Sequence, residues 1–134
     1  MKNNWKSKNR HKYLLQYHLI FVCKYRKKLL NKVISNDIKQ LSYEICNKHN
    51  IKIHKMESDK DHIHYMIEIE PTISISEVVK LMKSYTTYHI WKYHKDYLKR
   101  YFWKERTFWT DGYFCCSIGN VSEEQLKKYI ENQG

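Results

Sequence analysis

Two histidines separated by one residue, His62 and His64, are the first candidates for chemistry in this sequence. They stand in the segment DHIHYMIEIEP (61–71), where apolar and polar residues alternate in the manner of a strand. Successive side chains of a strand point to opposite faces, so His62 and His64 should share one face while Ile63 and Tyr65 take the other. The apolar face would cover the core. Two imidazoles on the remaining face are suited to bind one metal ion.

A His-x-His pair is weak evidence when it stands alone, because the 134-residue chain has eight histidines and such pairs arise by chance. The alternative is a pair of exposed histidines, or of histidines that contact nucleic acid. A metal site also needs a third group from elsewhere in the chain. The side-chain amide of Gln133 could supply an oxygen, which suits a hard divalent cation better than zinc.

The C-terminal segment has the signals of a helix over about residues 122–133. Ser122 and Gln125 have the spacing of a capping box, which marks a helix start. A helix of this length is marginal in water on its own, so it must dock on another part of the protein. Tyr129 and Gln133, four residues apart, project from neighbouring turns beside the docking face. They are either a packing tyrosine with a solvated glutamine or a functional pair.

The composition predicts one folded domain over residues 1–134. Hydrophobic residues make up 42% of the chain, which is enough for a core, and only three glycines and one proline are present. No apolar run is long enough to span a bilayer, and the basic N-terminus does not resemble a signal peptide, so we expect a cytoplasmic protein. The four cysteines have no C-x-x-C spacing, which favours reduced thiols over disulfides or a zinc site.

The charge points to a polyanionic partner. Lysine and arginine number 25 against 14 acidic residues, a formal net charge of +11. Twelve tyrosines and four tryptophans are interleaved with these cations, as in WKYHKDYLKRYFWK (91–104). Cations bind phosphates and aromatic rings stack on unpaired bases, so the mixture favours single-stranded nucleic acid. The alternative is a basic surface over an aromatic core.

The order of the predicted elements is β-α-β-β-α-β with a further helix at the C-terminus. This order predicts an α+β, ferredoxin-like fold, with an antiparallel sheet and helices on one face. RNA-recognition modules share this architecture, so the fold alone defines no activity. The predicted strands cover 13–26, 51–58, 62–70 and 108–119, and the predicted helices cover 35–50 and 74–100, the latter with a break near Thr86–Thr87.

Four blocks of the sequence resemble the single-tyrosine HUH transposases, small transposases of bacterial insertion sequences that move as single-stranded DNA. The blocks follow the family's order and cover most of the chain. They are YHLIFVCKYRKKLL, DHIHYMIEIEP, SEVVKLMKSYT and WTDGYFCCSIGNVSEEQLKKYIENQG, of which the last is the most specific.

The resemblance implies that Tyr129 is the nucleophile and that His62 and His64 hold Mg²⁺ or Mn²⁺, with Gln133 as the third, polar ligand. Asp61 precedes the histidines as in the family, and its contact with the ion is open. The implied reaction cuts and rejoins single-stranded DNA through a 5′-phosphotyrosine.

The resemblance also implies contacts and partners. Lys24, Arg26 and Lys83 are candidates for phosphate contacts, with a solvated basic face as the alternative. The expected partners are single-stranded DNA with hairpins at the element ends and a second copy of the chain, whose tyrosine helix would complete the site. The sequence does not distinguish this placement from one within a single chain.

Three other functions compete with this interpretation. A non-catalytic binder of the RNA-recognition type explains the charge, the aromatic residues and the fold, but leaves the histidine and tyrosine pairs as coincidences. A related tyrosine nuclease that acts on repeated chromosomal hairpins would use the same chemistry. A zinc-dependent hydrolase is disfavoured, because no third ligand lies at an obvious spacing.

Overall fold

The computed structural model describes residues 6–8, 11–118 and 123–132. Its main sheet has four antiparallel strands in the order β4-β5-β3-β6, and a separate two-stranded hairpin precedes it. Within the described ranges the strands are β1 (Lys6–Lys8), β2 (His11–Tyr13), β3 (Leu15–Val22), β4 (Lys52–Ser58), β5 (His62–Ile69) and β6 (Phe114–Ser117).

Helix α1 (Lys32–Lys48) connects β3 to β4, and helix α2 (Ile75–Leu98) connects β5 to β6. Together with the strand order, these connections give the ferredoxin-like α+β fold that the sequence predicts. The third helix, α3 (Glu123–Glu131), follows β6 and carries Tyr129.

Local signals set the ends of both long helices. The side chain of Asn31 caps α1 by accepting from the Ile34 N–H at 2.9 Å. At the other end Asn50 has a φ of 56°, a left-handed conformation that stops the helix. Ser74 and Glu77 form a capping box at the start of α2.

The core lies between one face of the sheet and helices α1 and α2. Leu19 and Phe21 of β3 and Ile63 and Tyr65 of β5 are fully buried there. The Tyr65 hydroxyl is satisfied by a 2.8 Å hydrogen bond with Ser42 of α1. The period of two therefore leaves the other face of β3 and β5 free for polar side chains.

The structure corrects two of the predicted boundaries near β3. The strand predicted over 13–26 ends at Val22, because Tyr25 and Arg26 have φ values of 58° and 51° that no strand accommodates. Helix α1 begins at Lys32, three residues before the predicted start at 35, because Asn31 is the actual cap.

Two further expectations were wrong in detail. Helix α2 continues through Thr86–Thr87 and is instead interrupted at His94, which has φ −131° and ψ 37°. The strand predicted over 108–119 is confined to Phe114–Ser117, although Trp109 forms an isolated bridge with Cys23. The hairpin of β1 and β2 was not predicted.

No helix in the described residues combines the length and the apolar character that crossing a membrane requires.

Thr86 connects α2 to the segment beside the end of β3. Its buried hydroxyl donates to the Met82 carbonyl at 2.7 Å and accepts from the Trp109 indole N–H at 3.0 Å. We expect Thr86→Val, which keeps the shape, to lower the free energy of unfolding by about 1–3 kcal/mol, because the indole N–H is left buried and unpaired. Urea denaturation measures the change.

The control is Thr87→Val, the same substitution one residue along at a position that is only partly buried. Equal losses of stability in the two variants would contradict the role assigned to the Trp109 hydrogen bond.

Candidate active site

His62 and His64 lie on the face of the sheet opposite α1 and α2. In the ladder between β3 and β5, His62 is paired with Val22 and His64 with Ile20. Both histidines are partly buried, and the intervening Ile63 is fully buried in the core. The shared face predicted from the alternation is what the structure shows.

A chain of hydrogen bonds orients His62. Its Nδ1 lies 2.8 Å from Oδ1 of Asp61, and the other oxygen of Asp61 lies 3.4 Å from Nε of Arg26. A carboxylate on one imidazole nitrogen is the usual outer partner of a metal-ligating histidine, and it leaves Nε2 available for an ion. Burial alone would raise the pKa of Asp61, but the contacts with His62 and Arg26 outweigh it and hold that pKa below its ordinary value.

His64 has a different partner, which sequence reasoning missed. Its Nε2 lies 2.8 Å from Nδ1 of His18 on β3, and the centroids of the two rings are 4.9 Å apart. Burial, followed by the charge of His18, lowers the pKa of His64, so at neutral pH its imidazole is in the uncharged form that binds metals. The only sequence signal for His18 was a single histidine within the apolar run YHLIFV (17–22).

The turn after β3 brings a cation to this face. Tyr25 and Arg26 occupy the left-handed region, which costs free energy for residues with a Cβ. Backbone hydrogen bonds hold the turn in place, from the Cys23 N–H to the Asp61 carbonyl and from the Arg26 N–H to the Cys23 carbonyl, both at 2.8 Å. Arg26 consequently reaches Asp61 and also donates to the Glu131 carbonyl of α3 at 3.0 Å.

Tyr129 packs against the same face but does not point into the space beside the histidines. Its ring lies 5.0 Å from that of Phe114 on β6, and its hydroxyl is buried without a hydrogen-bond partner among the described residues. Burial raises the pKa of Tyr129 above its ordinary value. Gln133, the expected third ligand, lies outside the described residues, as does Ser122.

A pocket of about 730 Å³ lies between the histidines and α3. Tyr129 is not among the described residues that line it. The lining has three histidines, five cations and four carboxylates, namely His18, His62, His64, Arg26, Lys28, Lys55, Lys60, Lys127, Glu57, Asp59, Asp61 and Glu131, together with Met66 and Ile130.

Two of the three predicted phosphate contacts lie away from this pocket. Nζ of Lys24 lies 3.6 Å from Oδ1 of Asp111. Lys83 donates to the carbonyl oxygens of Thr110 and Gly112, at 2.7 Å each, and burial lowers the pKa of its ammonium. The structure thus brings Arg26 together with Asp61, His62 and His64, and leaves Lys24 and Lys83 beside the segment 110–112.

The imidazole nitrogens of His62 and His64 are suited to bind a divalent ion, although the described side chains do not yet form a complete set of ligands around one point. Asp61 engages Nδ1 of His62 and leaves its Nε2 available, and burial lowers the pKa of His64, which favours its uncharged form. In residues 6–8, 11–118 and 123–132, no three side chains of His, Cys, Asp or Glu already surround one point. The four cysteines are free thiols, as the sequence indicated.

The fold and the arrangement of the site define a class: a ferredoxin-like protein with a histidine pair on the open sheet face and a tyrosine helix laid across it. Residues 11–133 match the model of a family described as "Transposase IS200 like". The chain therefore belongs to the IS200-like transposases, and this membership implies a DNA-processing enzyme.

Relatives agree with this membership. The transposase of insertion sequence IS200 from Salmonella typhimurium is 26% identical over 118 residues, which are 88% of this chain and 76% of that protein. The ISDra2 transposase TnpA of Deinococcus radiodurans is 27% identical over 121 residues, with 90% and 85% covered.

This chain is also similar to solved structures. A Deinococcus radiodurans protein classed as a transposase superposes with a TM-score of 0.87 at 25% identity, covering 96% of this chain and 97% of that one. A REP-associated tyrosine transposase bound to a REP hairpin has a TM-score of 0.58 at 11% identity, covering 94% and 69%. The second likeness concerns the fold alone.

The contact between Arg26 and the end of α3 can be tested by hydrogen exchange. In Arg26→Ala, we expect the amides of α3 to exchange about two- to fivefold faster, because an exposed charge-assisted hydrogen bond to the Glu131 carbonyl is lost. Mass spectrometry of the C-terminal peptide measures the rates.

Lys28→Ala is the matched control, since Lys28 is exposed and lines the same pocket. Unchanged exchange in Arg26→Ala would show that α3 docks without this contact.

Proposed function

We propose that this transposase cuts and rejoins single-stranded DNA at the ends of an insertion sequence, through a 5′-phosphotyrosine on Tyr129 and with Mg²⁺ or Mn²⁺ at His62 and His64. The observation that carries the proposal is the shared pocket: α3, which bears Tyr129, covers the sheet face on which both histidines stand. Gln133 is the proposed polar ligand from α3, and Asp61 orients His62.

The reaction is balanced without a nucleotide cofactor. The Tyr129 oxygen attacks the phosphorus of a DNA phosphodiester, the tyrosyl O–P bond forms, and the bond to the 3′ oxygen breaks. That oxygen leaves with a proton as a free 3′-hydroxyl, and its later attack on the phosphotyrosine reverses the chemistry at a new junction. The bound ion would polarise the scissile phosphate and offset its developing charge.

Ionisation of the Tyr129 phenol, which would make it a better nucleophile, is unfavourable at neutral pH. A free phenol has a pKa near 10, so forming phenolate at neutral pH costs about 4 kcal/mol, and burial of Tyr129 increases that cost. The hydroxyl must therefore leave its packed position against Phe114 before attack. Arg26 lines the pocket, and this position supports it as the favoured DNA contact in the proposal. Lys24 and Lys83 are weaker candidates, because they do not line the pocket and lie beside the segment 110–112.

The covalent step is tested with labelled single-stranded DNA that contains a hairpin. With Mg²⁺ present, a protein–DNA adduct should appear on a denaturing gel, and it should be absent for Tyr129→Phe and after chelation of the ion. We also expect Tyr129→Phe to keep or raise the melting temperature, because the deleted hydroxyl is buried without a partner. A folded protein without an adduct would then assign the loss to chemistry.

Tyr113→Phe is the control, because Tyr113 is 37% exposed and lies just before β6. An adduct that survives in Tyr129→Phe would show that another residue is the nucleophile. Strong binding of the wild-type protein to the DNA without any adduct would favour a non-catalytic binder. An adduct formed only with repeated chromosomal hairpins would favour the related tyrosine nuclease.

We further propose a homodimer in which each tyrosine helix serves the partner's site. The support is that Tyr129, in the single chain, does not line the pocket that its own His62 and His64 form. A mixture of His62→Ala and Tyr129→Phe chains distinguishes this placement from one within a chain. Exchange of helices leaves one intact site in each mixed dimer, so the inactive variants should regain adduct formation when combined.

The expected fraction of active sites follows from random pairing of the two kinds of chain. Random pairing makes about half of the dimers mixed, each with one intact site of two, so about a quarter of the wild-type sites should react. No recovery, in a mixture shown to contain mixed dimers, would place each tyrosine in the site of its own chain.

A further inference from the structure

Trp103 is the most exposed large hydrophobic residue in the part of the chain that the structure describes. It is 76% exposed, whereas Trp91 and Trp109, which lie on either side of it in the sequence, are buried in the core. It belongs to the segment KRYFWKER (99–106), to which the proposed function assigns no role. A single exposed aromatic residue is common on protein surfaces, so its surroundings decide whether it forms part of a site.

Two contacts anchor this segment on the turn that follows β3. On one side the Lys24 N–H donates to the Phe108 carbonyl at 2.8 Å. On the other side Nζ of Lys27 lies 5.7 Å from the centroid of the Tyr101 ring, which is a cation–π contact. Trp103 lies between Tyr101 and Phe108 in the chain, so it stands in a loop that is anchored on this turn.

The same turn borders the pocket of the proposed active site. Arg26 and Lys28 line that pocket. Tyr25 is not among the described residues that line it and is 63% exposed, with Nζ of Lys24 at 5.7 Å from the centroid of its ring. A DNA strand that leaves the pocket across this turn would therefore meet Tyr25 and then the loop that carries Trp103.

The turn 24–28 and the loop 99–106 together form a surface that we call the basic-aromatic band. Eight of its 13 residues are lysine or arginine, and one is acidic. Two carboxylates from outside the band, those of Asp61 and Asp111, contact cations of the turn. They neutralise only part of the charge, so the band suits a polyanion.

The exposed rings favour an unpaired strand over a duplex. Both present phosphates to the cations, but a duplex keeps the faces of its bases inside the stack, whereas an unpaired strand can lay a base against an aromatic ring. A second copy of the chain fits less well. A twofold contact between two such bands would set like charges against each other.

We propose that the basic-aromatic band binds the unpaired DNA that adjoins the scissile phosphate, with a base stacked on Trp103 and phosphates on Lys104 and Arg106. The inference rests on the proposed function, which supplies single-stranded DNA as the substrate. The guanidinium of Arg106 lies 5.7 Å from the centroid of the Trp91 ring, and a stacked guanidinium keeps N–H groups at its edge for a phosphate. Trp103 positions the strand and takes no part in bond making.

The test is DNA binding by the full chain without divalent ions, so that no cleavage contributes. Fluorescence anisotropy of a labelled hairpin with unpaired thymidine flanks measures the dissociation constant, and the same hairpin without flanks is the comparison. We expect Trp103→Ala to weaken binding of the flanked hairpin by about 5- to 100-fold and to leave binding of the blunt hairpin unchanged. Trp103→Phe, which keeps an aromatic face, should retain most of the affinity.

The matched control is Tyr43→Ala, because Tyr43 is 42% exposed on α1, outside the band. It should bind both hairpins as the wild-type protein does. The phosphate contacts are measured by the salt dependence of binding. For the flanked hairpin, Lys104→Gln should reduce the slope of log affinity against log salt concentration by about 0.7.

Melting curves establish first that the variants are folded. Unchanged binding of the flanked hairpin by Trp103→Ala would overturn the proposal, and so would an equal loss for both hairpins, because the band would then bind the paired stem. A weaker dimer of Trp103→Ala in sedimentation without DNA would instead assign Trp103 to a contact between copies of the chain. Binding that depends on Trp103 in a protein that forms no covalent adduct would support the band and contradict the proposed chemistry, so the two failures are distinguishable.

Discussion

The antiparallel pairing of β3 with β5 is the constraint on which the site depends. Its register sets Phe21 beside Ile63 on the core face, and Ile20 beside His64 on the open face. A slip by one residue would bury the imidazoles and expose the isoleucines, so burial of apolar side chains fixes the direction of the histidines. Hydrophobic packing on one side of the sheet therefore holds the polar groups on the other side in place.

The open face is only partly polar, and this explains how α3 can dock there. Ile20 and Val22 belong to that face, yet both are buried. Tyr129 packs on Phe114, which is paired with Ile20 in the ladder between β3 and β6. The helix thus binds to an apolar strip beside the histidines. The same packing removes water from the Tyr129 hydroxyl, which opposes ionisation of the phenol.

The sequence was sufficient for features that depend on local periodicity. Alternation in 61–71 predicted the face shared by His62 and His64, and the order of the elements predicted the fold. It was insufficient where tertiary contacts decide. The left-handed turn at Tyr25 and Arg26 interrupts a run whose composition is typical of a strand, and backbone hydrogen bonds to Asp61 and Phe108 hold it. His18 was missed because its proximity to His64 depends on which strands pair, and spacing along the chain carries no such information.

The charge of the pocket indicates why an ion matters to the proposed chemistry. Among the described residues, five cations and four carboxylates line it, so with neutral histidines their formal charge is about +1, whereas the whole chain has +11. Most of the positive charge therefore lies outside the pocket, where it can attract DNA at long range and bind phosphates that do not react. At the scissile phosphate, where negative charge develops, the side chains alone offer little excess. A divalent ion would raise the formal charge there to about +3 without adding a flexible cation, and it would do so at a position that the sheet fixes.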